Sequence, residues 1–169
     1  MLEHSLSLCY INGYQYLKKW GMNMFEIKEI KPDITYEIRH KILRPNQDIA
    51  DCIYKTDLEA GGFHLGAFYD GELVSVVSFC IENNSKFLSE KQYRLRAMAT
   101  LPEFRKLGAG RKIVNYGEDM IKSMDYDILW CNARATAQGY YEKLGFEPYG
   151  DIFDYPPIGL HILMYKRLR

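Results

Sequence analysis

The chain has 169 residues, room for one domain with a sizeable core, and its 47% hydrophobic and 26% charged content excludes a disordered polypeptide. Its 22 basic and 22 acidic residues cancel, so no overall field draws it to nucleic acid or an acidic membrane, and any anion site must be local. No run approaches the roughly 18 apolar residues that a bilayer span needs, and the N-terminus carries no basic segment leading into an apolar one, so a cytoplasmic protein with no membrane partner is expected.

Residues 1–22 carry Tyr10, Tyr14, Tyr16 and Trp20 without strict periodicity and read as an extension to a domain spanning 23–169. A docking helix, a homodimer contact or an unused upstream start would each fit it. The run MFEIKEI reads as a short strand closed by Pro32, and residues 34–44 as a helix. Asp70-Gly71, between two apolar β-branched runs, is a strong hairpin signal, since both turn positions favour positive φ. Residues 93–100 read as a strand with Leu95, Ala97 and Ala99 alternating against Arg94, Arg96 and Met98.

After Gly110 the period changes to about 3.6, with Ile113, Tyr116, Met120, Ile121 and Met124 on one helical face. Residues 127–131 read as a short strand and 136–144 as a helix. Gly145 is its left-handed cap, and 161–166 is a closing strand. This order predicts an α/β fold: a mixed sheet with helices on both faces. Cys9, Cys52, Cys80 and Cys131 form no metal-ligand spacing, so no metal is expected; Cys80 and Cys131 read as small buried hydrophobes. The 14 tyrosines suggest an aromatic-lined pocket or a Tyr-rich surface.

The chemistry-bearing segment is MATLPEFRKLGAGRKIV, residues 98–114, which joins a strand to a helix. Backbone N–H groups at a helix start lack partners, and the helix dipole adds about half a positive charge there. Gly108 and Gly110 let a phosphate approach the backbone, while Arg105, Lys106, Arg111 and Lys112 add cationic donors. Neither GxxxxGK[ST] nor GxGxxG is present, so nucleoside triphosphatase and dinucleotide readings fall.

With the strand before this loop and a strand, helix and Gly-Phe step after it, the chain resembles the GNAT superfamily of acetyl coenzyme A-dependent N-acetyltransferases over about residues 24–169. The family's R/Q-x-x-G-x-G/A motif is matched by Arg105, Gly108 and Gly110, and its helix ending in YxxLGF by Tyr141, Leu144, Gly145 and Phe146. The LRPxQ segment, Leu43 to Gln47, and the GxHxxM run, Gly159 to Met164, mark a group within it, commonly of unassigned substrate.

The resemblance implies acetyl coenzyme A as cosubstrate and a mostly antiparallel sheet splayed between strands 93–100 and 127–131. The backbone of Met98, Ala99 and Thr100 would then pair with the pantetheine arm. Arg105, Lys106, Leu107, Gly108, Ala109, Gly110 and Arg111 would hold the pyrophosphate. Tyr141 would be the general acid, giving its proton to the departing thiolate, since a phenol with an ordinary pKa of about 10 is protonated at neutral pH. Either Asn132 or Arg134 would touch the cofactor.

The acceptor implied is a primary amine of a small molecule or peptide, attacking directly in a ternary complex; no Cys/His pairing motivates an acetyl-cysteine route. A lysine-like amine has a pKa of about 10.4, so a base is expected. His161 is the candidate, with His64, Glu26 and Asp154 beside it. Residues 150–163, with Pro156, Pro157 and Gly159, read as an acceptor lid. Arg94 and Arg96 would either select a carboxylate-bearing acceptor or snorkel to the sheet's rim. The rivals are a non-catalytic acyl coenzyme A sensor, which would not need Tyr141, and an interaction protein whose basic helix start is a plain cap.

Overall fold

Asp70 and Gly71 take φ of 51° and 89°, the twist that joins neighbouring strands through two residues. They connect β2 (Phe63–Tyr69) to β3 (Glu72–Ile81) in a computed structural model that describes residues 25–169. The extension expected at residues 1–22 lies outside the described residues. Seven strands form one sheet in the order β1-β2-β3-β4-β5-β7-β6, where β1 is Phe25–Ile30, β4 Gln92–Thr100, β5 Ile128–Arg134, β6 Glu147–Asp154 and β7 Leu160–Arg167. Only the β4–β5 pair is parallel.

Among the described residues three α-helices cover the sheet: α1 (Tyr36–Leu43) on one face, α2 (Ala109–Ser123) and α3 (Gln138–Glu142) on the other. The helix expected over 34–44 splits. Pro32 opens a 3-10 turn, Pro32–Thr35, and α1 ends where Pro45 drives Arg44 out of the helical region. Likewise 136–144 is a 3-10 turn, Ala135–Ala137, followed by α3. Gly145, at φ 86°, caps that end as expected: its N–H reaches Glu142 O at 2.9 Å, and that of Phe146 reaches Tyr141 O at 3.0 Å.

Two expectations about faces are corrected. In α2 the buried set is Ala109, Gly110, Ile113, Val114, Gly117, Glu118 and Ile121, whereas Tyr116 and Met124 are exposed. Gly117 explains the rotation, because a Cβ there would come within 2.3 Å of Phe79 Cζ; the face that carries this glycine lies against the sheet and turns Tyr116 outward. In β4 the alternation breaks at Ala97, which has φ 50°. Register passes from Val76↔Ala99 to Ser78↔Arg96, so two residues of β4 oppose Val77 in a bulge. Leu95 and Met98 therefore both face α2 and α3, while Ala99 joins Ile38, Val74 and Val76 beneath α1.

Arg39 of α1 is fully buried. It donates through Nη1 to Cys52 O (2.8 Å) and Asp57 Oδ2 (2.7 Å), and through Nη2 to Asp57 Oδ1 (3.0 Å) and Ser78 Oγ (2.6 Å). His64 completes this network, accepting from Ser78 Oγ at 2.6 Å and donating to Asp57 O at 3.1 Å. The two short turns Ile49–Cys52 and Lys55–Leu58 are thereby tied to the sheet, with Tyr54 and Thr56 beside β4. Among the described residues no helix is long and apolar enough to cross a membrane.

Candidate active site

β4 and β5 pair at only three positions, Gln92↔Ile128, Tyr93↔Leu129 and Arg94↔Trp130. Beyond Arg94 they part, and the bulge at Ala97 turns β4 further. A cavity of about 230 Å3 opens in the gap. Strand alternation decides which side chains meet on each side of it. Cys131 and Ala133 of β5 pack with Tyr141 in the core on the α2/α3 side. Asn132 and Arg134 point to the α1 side, opposite Leu163 and His161 of β7.

Tyr141 closes the α3 side. It is buried, with its ring edge-on to Tyr140 at 5.4 Å and to Phe146 at 5.5 Å. Burial pushes its phenol well above the ordinary value of 10, with Cys131 and Tyr140 acting in the same direction, so the hydroxyl keeps its proton. Met98 Sδ, 4.0 Å away, is a weak acceptor for that proton. Tyr140, which the sequence reading did not single out, also lines the cavity; burial lifts its phenol to about 12.

The two glycines of the basic loop serve different ends. Gly108 (φ 84°) caps α2 with no side-chain hydrogen bond, and nothing lies within 4 Å of where its Cβ would be. Gly110 is packed: a Cβ there would meet Met98 Cε at 2.5 Å and Tyr140 Oη at 2.6 Å. The expected loop before them is a 3-10 turn, Pro102–Leu107, from which Arg105 Nε donates to Thr100 O at 3.2 Å. Thr100 Oγ1 lies 2.7 Å from Ser75 Oγ, and Ser75 Oγ also donates to Ala99 O at 3.1 Å. Lys106, Leu107 and Arg111 are exposed around the open helix start, with Ala109 buried beneath. An uncapped N-terminus, open space at Gly108 and three basic side chains fit a pyrophosphate.

Of the four titratable groups considered as bases, only His161 lines the cavity. Its Nδ1 lies 2.7 Å from Gly159 O. A carbonyl can only accept, so Nδ1 carries the hydrogen, and the neutral ring holds its lone pair on Nε2. His64 is instead part of the Arg39 network, where burial lowers its pKa. Glu26 is ion-paired to Lys28, and Asp154 is exposed. Tyr155 and Ile158, from the segment read as a lid, line the same cavity.

Arg94 and Arg96 do not snorkel away: both line the cavity. Arg44 and Tyr54 were missed there, although Arg44 lies inside the LRPxQ segment. Arg134 Nη2 donates to Leu43 O at 2.6 Å, tying β5 to the end of α1. The three described cysteines, Cys52, Cys80 and Cys131, are buried thiols; burial raises Cys52 and Cys131, and raises Cys80 to about 11.

The Acetyltransferase (GNAT) family profile matches residues 24–146. The uncharacterized N-acetyltransferase YitI of Bacillus subtilis (strain 168) is 47% identical over 146 residues, covering 86% of this chain and 98% of that protein. Among solved structures, Escherichia coli ElaA superposes with a TM-score of 0.67 at 17% identity, covering 85% of this chain and 99% of that one. An aminoglycoside 6'-N-acetyltransferase complexed with coenzyme A does so with a TM-score of 0.63 at 15% identity, covering 85% and 97%. At these identities the structures speak for the fold. Profile and relative together establish that the chain belongs to the Acetyltransferase (GNAT) family and is an acyltransferase.

Proposed function

We propose that the chain transfers an acetyl group from acetyl coenzyme A to a primary amine of a small molecule or peptide, by direct attack in a ternary complex. The observation that carries this is the parting of β4 and β5 after Arg94 and Trp130, which brings a protonated phenol and a free imidazole nitrogen to one cavity.

Family membership supports coenzyme A as the acyl carrier, and the helix start at Gly108 supports the place of its pyrophosphate. The thioester supplies the acetyl group. His161 Nε2 takes the proton that the amine sheds as its nitrogen bonds to the carbonyl carbon. Tyr141 gives its proton to the sulfur as the carbon–sulfur bond breaks, and solvent restores both residues. Amide and thiol leave. Backbone N–H groups on the opened edge of β4 are the donors available to the carbonyl oxygen, on which charge develops in the transition state. Cys52, Cys80 and Cys131, buried and held in the thiol form by that burial, support direct attack over an acetyl-cysteine intermediate.

The test is thiol release from acetyl coenzyme A across a panel of amines, with coenzyme A protection against melting measured in parallel. Amine-dependent release is expected. Protection with silence across every amine would mean an acyl coenzyme A sensor; no protection at all would sink the cofactor reading.

A further inference from the structure

The cavity's charge is one-sided. Among the described residues, four arginines line it, Arg44, Arg94, Arg96 and Arg134, and no Asp or Glu does. Arg94 is neutralised: its Nη1 lies 2.7 Å from Glu82 Oε1, and its guanidinium rests on Trp130 at 4.7 Å. Arg44 and Arg96 have no salt-bridge partner among the described residues. Both lie against one ring, Arg96 at 4.7 Å and Arg44 at 5.7 Å from the centroid of Tyr54. Each makes one side-chain hydrogen bond, to Thr56 Oγ1 (3.0 Å) and Gln47 Oε1 (2.6 Å) respectively.

Two like charges sharing a half-buried wall repel each other and lose hydration, and a tyrosine face offsets only part of that. A guanidinium presents further donors in a planar fork that matches a carboxylate. The coenzyme's phosphates have their own cations, because none of Arg105, Lys106 and Arg111 lines this cavity. At about 230 Å3 the space admits a small acceptor, and a polycationic amine would meet its own sign.

We infer that the acceptor is a small amine that also bears a carboxylate, an amino acid or close relative, whose carboxylate is received by Arg44 and Arg96 against Tyr54 while its amine faces His161. This rests on the acyl-transfer reading above. Asn132, on the same side of the gap, adds a neutral polar group to that wall.

The experiment compares the common amino acids with their carboxamides, and with spermidine and phosphoethanolamine, by thiol release in the wild type and in Arg96→Gln and Arg44→Gln. Glutamine keeps a donor for Thr56 while removing the charge. At least one amino acid should exceed its carboxamide in kcat/KM by about tenfold or more, with that ratio falling towards one in Arg96→Gln through KM. In parallel, N-acetylated amino acids should protect the coenzyme A-bound protein against melting better than their carboxamides, a readout independent of turnover. Equal rates and equal protection for acids and carboxamides would overturn the carboxylate site while leaving acyl transfer standing, as would preference for spermidine. Preference for phosphoethanolamine would replace the carboxylate by a phosphate.

Discussion

The Nδ1 hydrogen of His161 is held by the carbonyl of Gly159, two residues earlier and just before β7, at 2.7 Å. That bond, to a carbonyl and not to a carboxylate, aims the other nitrogen. His161→Gln should lower kcat/KM by about 10² to 10⁴, the usual range for losing a general base, while coenzyme A affinity stays near wild type. Partial recovery with added imidazole would mark a lost base; turnover equal to wild type would return His161 to a structural role.

Tyr141→Phe separates chemistry from packing. The hydroxyl's contacts are two sulfurs, the Met98 thioether at 4.0 Å and the Cys131 thiol, both weak partners, and the ring contacts survive in phenylalanine. Stability should change by less than about 1 kcal/mol, while turnover should fall by about 10² or more at the chemical step. Single-turnover kinetics and coenzyme A titration would read the two effects separately.

The loop glycines should fail differently. Gly108→Val points into open space, so its effect on the fold is limited to backbone strain of about 1–2 kcal/mol at positive φ, while the phosphate approach is filled. Gly110→Ala collides with Met98 and Tyr140 and should lower the melting temperature with or without ligand. Melting curves with and without coenzyme A distinguish a protein that no longer responds to ligand from one that is merely weaker.

His64 sets a pH dependence of stability. Burial holds its folded pKa below the unfolded value near 6.5, so the unfolded chain binds the proton first. Its contribution is complete above about pH 6.5 and is lost as pH falls through the folded pKa. Denaturant midpoints should drop on acidification through this window, and His64→Asn should flatten that part of the profile. An unchanged slope would remove His64 as its source.

The motif residues from Arg105 to Gly110 and from Tyr141 to Phe146 were legible because their geometry is local: a glycine before a helix, a glycine after one. The hairpin at Asp70-Gly71 was legible for the same reason. What the sequence did not show depends on distant partners. Gly117 is unremarkable until Phe79 lies under it, and Ala97 fits a strand until the register with Val77 slips. Arg44 and Tyr54 reach the cavity only because Arg39, Asp57 and Ser78 pin their segment to β3. No local period encodes that.

Three residue pairs are all that join β4 to β5. Amide exchange should therefore be uneven along a single strand. N–H groups on the β5-facing edge of β4 beyond Arg94 have no ladder partner and should trade their hydrogens for deuterium early, while those at the three joined pairs exchange late. The opening that admits a substrate is also the seam along which the native sheet loosens first.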